Sequence, residues 1–331
     1  MARHGRRRTR HDGNGRLHDR PVSEVDSFTL LAILIRAAGY GAGLLAVGSG
    51  LYLAAYGARA FPASSPDAAA SLARRTALLG AAALVLAVLL AVAGVCVRAG
   101  RLSGMGVGGM TEPMMLQIVW EGPVGRAVTV RLAGFLLLAV GLAAYATAFG
   151  RFILFLAAGV FAFSYTFVGH ATEAPRWLLP AMLTIHLVAV SFWVGAFAPL
   201  AIASRRLAAK DAACLLEAFG RHAVYVVATL VAAGAVFAAV LIATPAGLFG
   251  SAYGRIFLVK LAVVAVLLGL AAQNKLRLVP GLAAGDEAMR GRLARSIRLE
   301  ALAVAAILLA TAVLTSVATP PSHAMLGAAA S

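Results

Sequence analysis

Two histidines stand where apolar sequence leaves no soluble surface to hold them. His170 closes one hydrophobic segment, and His186 lies inside the next, in TFVGHATEAPRWLLPAMLTIHLVAVSFWVGAFAPL. Ionisable side chains at membrane depth are rare and expensive, so each calls for a reason. Met182 precedes His186 by four residues, which on a helix sets thioether and imidazole on one face a turn apart, and Trp193 follows at i+7 on the same stripe. Soft sulfur with imidazole suits Cu(I), whereas the carboxylate clusters that hold calcium or magnesium are missing. More sulfur gathers in SGMGVGGMTEPMM as Met105, Met110, Met114 and Met115, a Gly-rich stretch between apolar segments that reads as a loop able to capture Cu(I). Structural readings stand beside these: a helix-bridging hydrogen bond for His186, an interfacial residue at His170, core filling or interfacial anchoring for the methionines. Glu173 can orient His170 or pair with Arg176. His323 and Met325 near the chain end are further donors, His222 reads as an interfacial residue opening a segment beside Arg221, and Glu300 reads as the partner of a neighbouring Arg.

The elements that must position these groups are transmembrane helices. Of 331 residues 61% are hydrophobic and only 13% charged, outside the range of soluble domains. The predicted fold class is all-α, a polytopic helical bundle of about eight spans, at 30–56, 77–97, 128–148, 152–169, 178–201, 223–242, 256–272 and 299–317. Each is near the ~20 residues that cross a bilayer. Residues 149–151 read as a tight link between spans three and four. Residues 1–27 form an Arg-rich tail expected to be disordered and retained, 28–321 the membrane domain, and 322–331 a short C-terminal tail. The net charge of +16 belongs to tails and loops with no basic folded module, so nucleic acid is not an expected partner and membrane lipid is. Cys96 and Cys214 fall on opposite faces of an alternating topology and are not expected to pair. No CxxC, HExxH, phosphate-cradling loop or nucleophile elbow occurs, so no enzymatic activity is expected, and a self-powered pump is disfavoured.

Orientation follows from charge. Loops after odd-numbered spans carry twice as many Lys and Arg as loops after even-numbered spans, which places both termini outside, against the pull of the Arg-rich tail. An internal repeat supports the count. Gly125-Arg126-AVTV-Arg131-Leu132-Ala133 opens span three and Gly254-Arg255-IFLV-Lys260-Leu261-Ala262 opens span seven, four spans apart and hence pointing the same way. This pattern suggests two parallel four-helix halves. Arg131 and Lys260 sit inside the membrane boundary, free either to snorkel or to face a polar interior.

The GHA at the end of span four, H-x6-W-V-G in span five, YGRIFLVK from Tyr253, NKLRLVP from Asn274 to Pro280, and RSIRLE ending at Glu300 occur in an order that resembles the copper resistance D (CopD) family of bacterial inner-membrane proteins. The resemblance runs from about residue 30 to 321. It implies an eight-span protein of the cytoplasmic membrane engaged in copper homeostasis, often joined to a periplasmic copper-binding partner of the CopC type. The combined expectation is copper movement inward from the outer side, Cu(I) passing His170 and His186 as central ligands with Met182, Met110, Met114 and Met115 as accessories. Two other readings stay open at this point: a scaffold that delivers copper without transporting it, and a b-type haem electron carrier with His170 and His186 as axial ligands.

Overall fold

All eight apolar segments become helix, and most run beyond their apolar limits. The computed structural model describes residues 27–57, 66–169, 177–241, 245–250 and 252–317. In chain order the helices are α1 (Ser27–Tyr56), α2 (Pro66–Ser103), a 3-10 turn (Gly106–Thr111), α3 (Pro113–Glu121), α4 (Pro123–Ala143), α5 (Ala148–Phe163) continued by a 3-10 turn (Ser164–Phe167), α6 (Leu178–Arg206), α7 (Ala209–Leu241), α8 (Pro245–Gly250), α9 (Ala252–Gln273), a π turn (Asn274–Leu278), α10 (Val279–Ala283) and α11 (Ala288–Val317). Eight of these stretches, with α9 to α10 counted as one, are long and apolar enough to cross a membrane. The protein is an all-α polytopic bundle. Pro66, Pro113, Pro123 and Pro245 each open a helix, where the missing N–H costs nothing because the first turn has no acceptor for it. The tails at 1–26 and 318–331, with His323 and Met325, lie outside the described residues, as do His170, Glu173 and Arg176.

α1 is the hub, packed on α2, α5, α6 and α11. Its contacts turn on three consecutive small residues that point about 100° apart, each to a different neighbour. Gly48 meets α6 backbone to backbone: a Cβ there would lie 1.9 Å from the Ser191 carbonyl oxygen. Ser49 faces Gly80 of α2, where a Cβ would stand 2.9 Å from the serine Cβ, and Gly50 faces Leu138 of α4 and Leu154 of α5. In lipid the hydrophobic effect gives helices little reason to associate, so such small-residue approaches carry much of the packing.

Spans one to four close on themselves through α1–α2, α2–α4, α4–α5 and α1–α5 pairings. The second set repeats three of these as α6–α7, α9–α11 and α6–α11, while α7 and α9 are not packed on one another to a comparable extent. Only 6% of the apolar window of α7 or α9 is buried, against 39% for α1 or α6, so these two helices face lipid at the periphery.

Three local expectations are corrected. The link between spans three and four is 144–147, and Phe149 to Arg151 belong to α5, because the Thr147 hydroxyl accepts the Gly150 N–H and caps the helix there. The Met-bearing stretch is a 3-10 turn followed by α3, since Pro113 starts a helix that Leu116, Ile118 and Val119 continue. His222 lies well inside α7, which begins at Ala209, rather than at the opening of a span.

Candidate metal centre

α6 enters with Pro180 in its first turn, and the Thr184 hydroxyl donates to the Pro180 carbonyl at 2.8 Å. His186 follows two residues later, partly buried, with its Nδ1 fully enclosed and without a hydrogen-bond partner. A helix-bridging hydrogen bond through this nitrogen is thus not formed among the described residues. Met182 is partly buried one turn above. Lys260 of α9 lies within electrostatic range of the imidazole.

Seven residues along α6, about 10 Å at 1.5 Å per residue, Trp193 is buried on the same stripe. Its Nε1 donates to Glu300 Oε2 of α11 at 3.4 Å, and the Asn274 amide donates to Glu300 Oε1. Glu300 is therefore not the partner of an Arg. α11 begins at Ala288, three turns earlier than the apolar pattern indicates, so Glu300 sits mid-helix on a buried face while Arg295 and Arg298 point away from it. Asn274 heads the π turn. Pro280 has no N–H for the Leu276 carbonyl, and the helix widens so that Val279 N–H bonds to Asn274 O instead. Asn274, Tyr52 and Tyr56 were not singled out from sequence. The Asn-to-Pro spacing in NKLRLVP was the available signal for the first, and a polar pair at the end of an apolar span for the others. Tyr56 Oη and His222 Nδ1 share a hydrogen bond of 2.5 Å across the α1–α7 gap.

The repeated cations behave alike in turning inward. Arg131 donates from Nε to Ser164 Oγ at 3.1 Å, and its guanidinium lies 3.9 Å from the centre of the Tyr165 ring. The methionines divide. Met115 packs on the cluster of Val95, Ala99, Val119 and Val128, and Met110 rests against Gly100 of α2, while Met105 and Met114 are exposed. α3 packs chiefly on α2 and α4, so these sulfurs are not brought into the His186 stripe. Among the described residues no three His, Cys, Asp or Glu side chains converge.

Residues 26–175 match the family model described as Copper resistance protein D-like, N-terminal domain, and residues 213–314 match that of Copper resistance protein D. The chain belongs to the copper resistance protein D family. The two matches flank most of α6, so the segment that carries Met182, His186 and Trp193 joins the two family-defined parts. No curated protein and no solved structure matches. This copper resistance D family member is thus a multi-pass membrane protein of a copper-resistance family. Imidazole nitrogen and thioether sulfur are the donor types that suit a soft cation, and α6 carries one of each, His186 and Met182, a turn apart.

Proposed function

We propose that this protein conducts Cu(I) inward across the cytoplasmic membrane, from the outer side, along the α6 stripe of Met182 and His186, with His170 as the preceding ligand. One observation carries the reading: the enclosed, unbonded Nδ1 of His186 inside a span, with a sulfur donor a turn away. A cation in transit needs ligands that bind and then release, and a sparse imidazole–thioether pair meets that need better than a closed thiolate site. Exposed Met114, with Met110 and Met115 on the same end segment, offers the first sulfur contact to copper delivered by a periplasmic carrier of the CopC type.

The test is Cu(I) uptake by proteoliposomes of the purified protein under reducing conditions. Wild type takes up copper, and His186→Ala falls to the level of empty liposomes, with the thermal midpoint measured alongside to show that the variant is folded. Uptake by the variant equal to wild type would remove His186 from the path. A folded wild type that binds copper without flux would make the protein a delivery scaffold instead.

A further inference from the structure

Glu300 is only 5% exposed, lies mid-span on α11, and forms no ion pair among the described residues. Its bonded neighbours are both neutral: Trp193 Nε1 on Oε2 and the Asn274 amide on Oε1. The charged groups on the packed elements have other partners or positions, and Tyr52 of α1, whose buried Oη also lacks a partner, shares a core cluster with Ile297 of α11. α10 (Val279–Ala283) has none. On the π turn Lys275 donates to the Gly220 carbonyl at 3.1 Å, and Arg277 is exposed. α6 offers His186 two turns toward its other end and Arg205 and Arg206 at its last turn, and α9 offers Arg255 and Lys260 in its first turns. On α1, Arg36 donates to the Thr315 carbonyl and Tyr40 meets Tyr165 edge to face, both far along from the Tyr52 and Tyr56 end. None of these groups hydrogen-bonds to Glu300. An ionised carboxylate so placed carries a desolvation cost that two neutral donors do not offset.

A second, independent observation concerns the other atom of the asparagine. Asn274 Oδ1 is buried and accepts from nothing. The amide already donates its N–H to Oε1, so a carboxyl turned to set Oε2 opposite Oδ1 would complete an acid–amide pair. A hydrogen on Oε2 would donate to Oδ1, close the second bond of that ring, and satisfy the orphaned acceptor. Ser296 Oγ, buried and likewise unpartnered, lies one turn from Glu300 on the same face of α11, toward the Arg-rich end.

We propose that Glu300 and Asn274 form an intramembrane proton-binding site: water at the Arg-rich end supplies a proton by way of Ser296 Oγ, the proton resides on Glu300 Oε2 as a neutral acid bonded to Asn274 Oδ1, and it is returned the same way. The proton site does not rest on the copper passage proposed above.

Infrared difference spectroscopy of the full chain in liposomes, titrated with pH in the absence of copper, tests it. Wild type shows a carboxylic-acid C=O band at neutral pH that shifts in D2O, disappears reversibly on alkalinisation, and is missing in Glu300→Gln, whose amide keeps the bonding to Asn274 but gives Trp193 Nε1 no acceptor, so an unchanged thermal midpoint in detergent is the accompanying check that this variant is folded. A band unchanged in Glu300→Gln, or no acid band in folded wild type at neutral pH, overturns the proposal. Glu300→Asp gives a second reading, because the shorter acid moves the band only if Glu300 is its source. Failed copper flux in liposomes that still show the Glu300 band sinks the copper path alone.

Discussion

At the scale of single residues, the bundle separates polar groups that bond within the protein from those that do not. Tyr56 and His222 belong to the first kind, tying the end of α1 to α7 through one hydrogen bond while the Tyr56 ring lies against Phe192 and Phe219. Tyr56→Phe keeps the ring contacts and removes the bond, so it lowers stability by about 1 kcal/mol, read from the thermal midpoint in detergent. His186 belongs to the second kind, and its nitrogen was legible from sequence only as a histidine at membrane depth; that it bonds nothing required the neighbours. Glu300 shows the opposite limit. The four arginines before it in sequence suggested an ion pair, and helical geometry turns them onto another face. Met114, exposed beside the packed Met115, leads to a further expectation: Met114→Leu raises the copper concentration for half-maximal uptake several-fold and leaves the maximal rate alone, as measured in the same liposomes.

At the scale of elements, the decisive contact is between α1 and α6. A Cβ at Gly195 would lie 1.9 Å from the Gly48 carbonyl carbon, and no side chain can move aside because the obstacle is backbone. Gly48→Ala therefore forces the two helices apart and costs at least about 3 kcal/mol, seen as loss of folded protein or a lowered midpoint, whereas Gly94→Ala, with open space around it, is tolerated. Helix number and order were readable from apolar runs of near-bilayer length. Their ends were less so, because a helix continues into polar sequence wherever caps and packing support it, as in α2 from Pro66 and α11 from Ala288. The π turn at Asn274 could be anticipated from Pro280, but not that the widened turn delivers an amide to Glu300.

At the scale of the whole molecule, the charge bias predicts an orientation that can be checked directly. With both cysteines replaced, a single Val107→Cys is labelled by an impermeant thiol reagent in intact cells, and Leu276→Cys, exposed near the opposite end, is labelled only after permeabilisation. The reverse pattern would put the methionine segment on the inner face and reverse the proposed direction of copper. The same global view shows the repeat in use: span three pairs with span four and span seven with span eight, and Arg131 and Lys260 both turn toward the protein. By itself the sequence determined the all-α class, the eight spans, the membrane setting and the family resemblance, because apolar length, charge bias and motif order are properties of the chain read along its length. Only the tertiary structure decided which helices touch, that α7 and α9 stand apart, that His186 Nδ1 and Asn274 Oδ1 lack partners, and that Glu300 meets Trp193 and Asn274. Those outcomes depend on rotation and close approach of helices distant in sequence, set by single glycines at crossings such as Gly48 and Gly195, and apolar patterning does not encode which partner each face will meet.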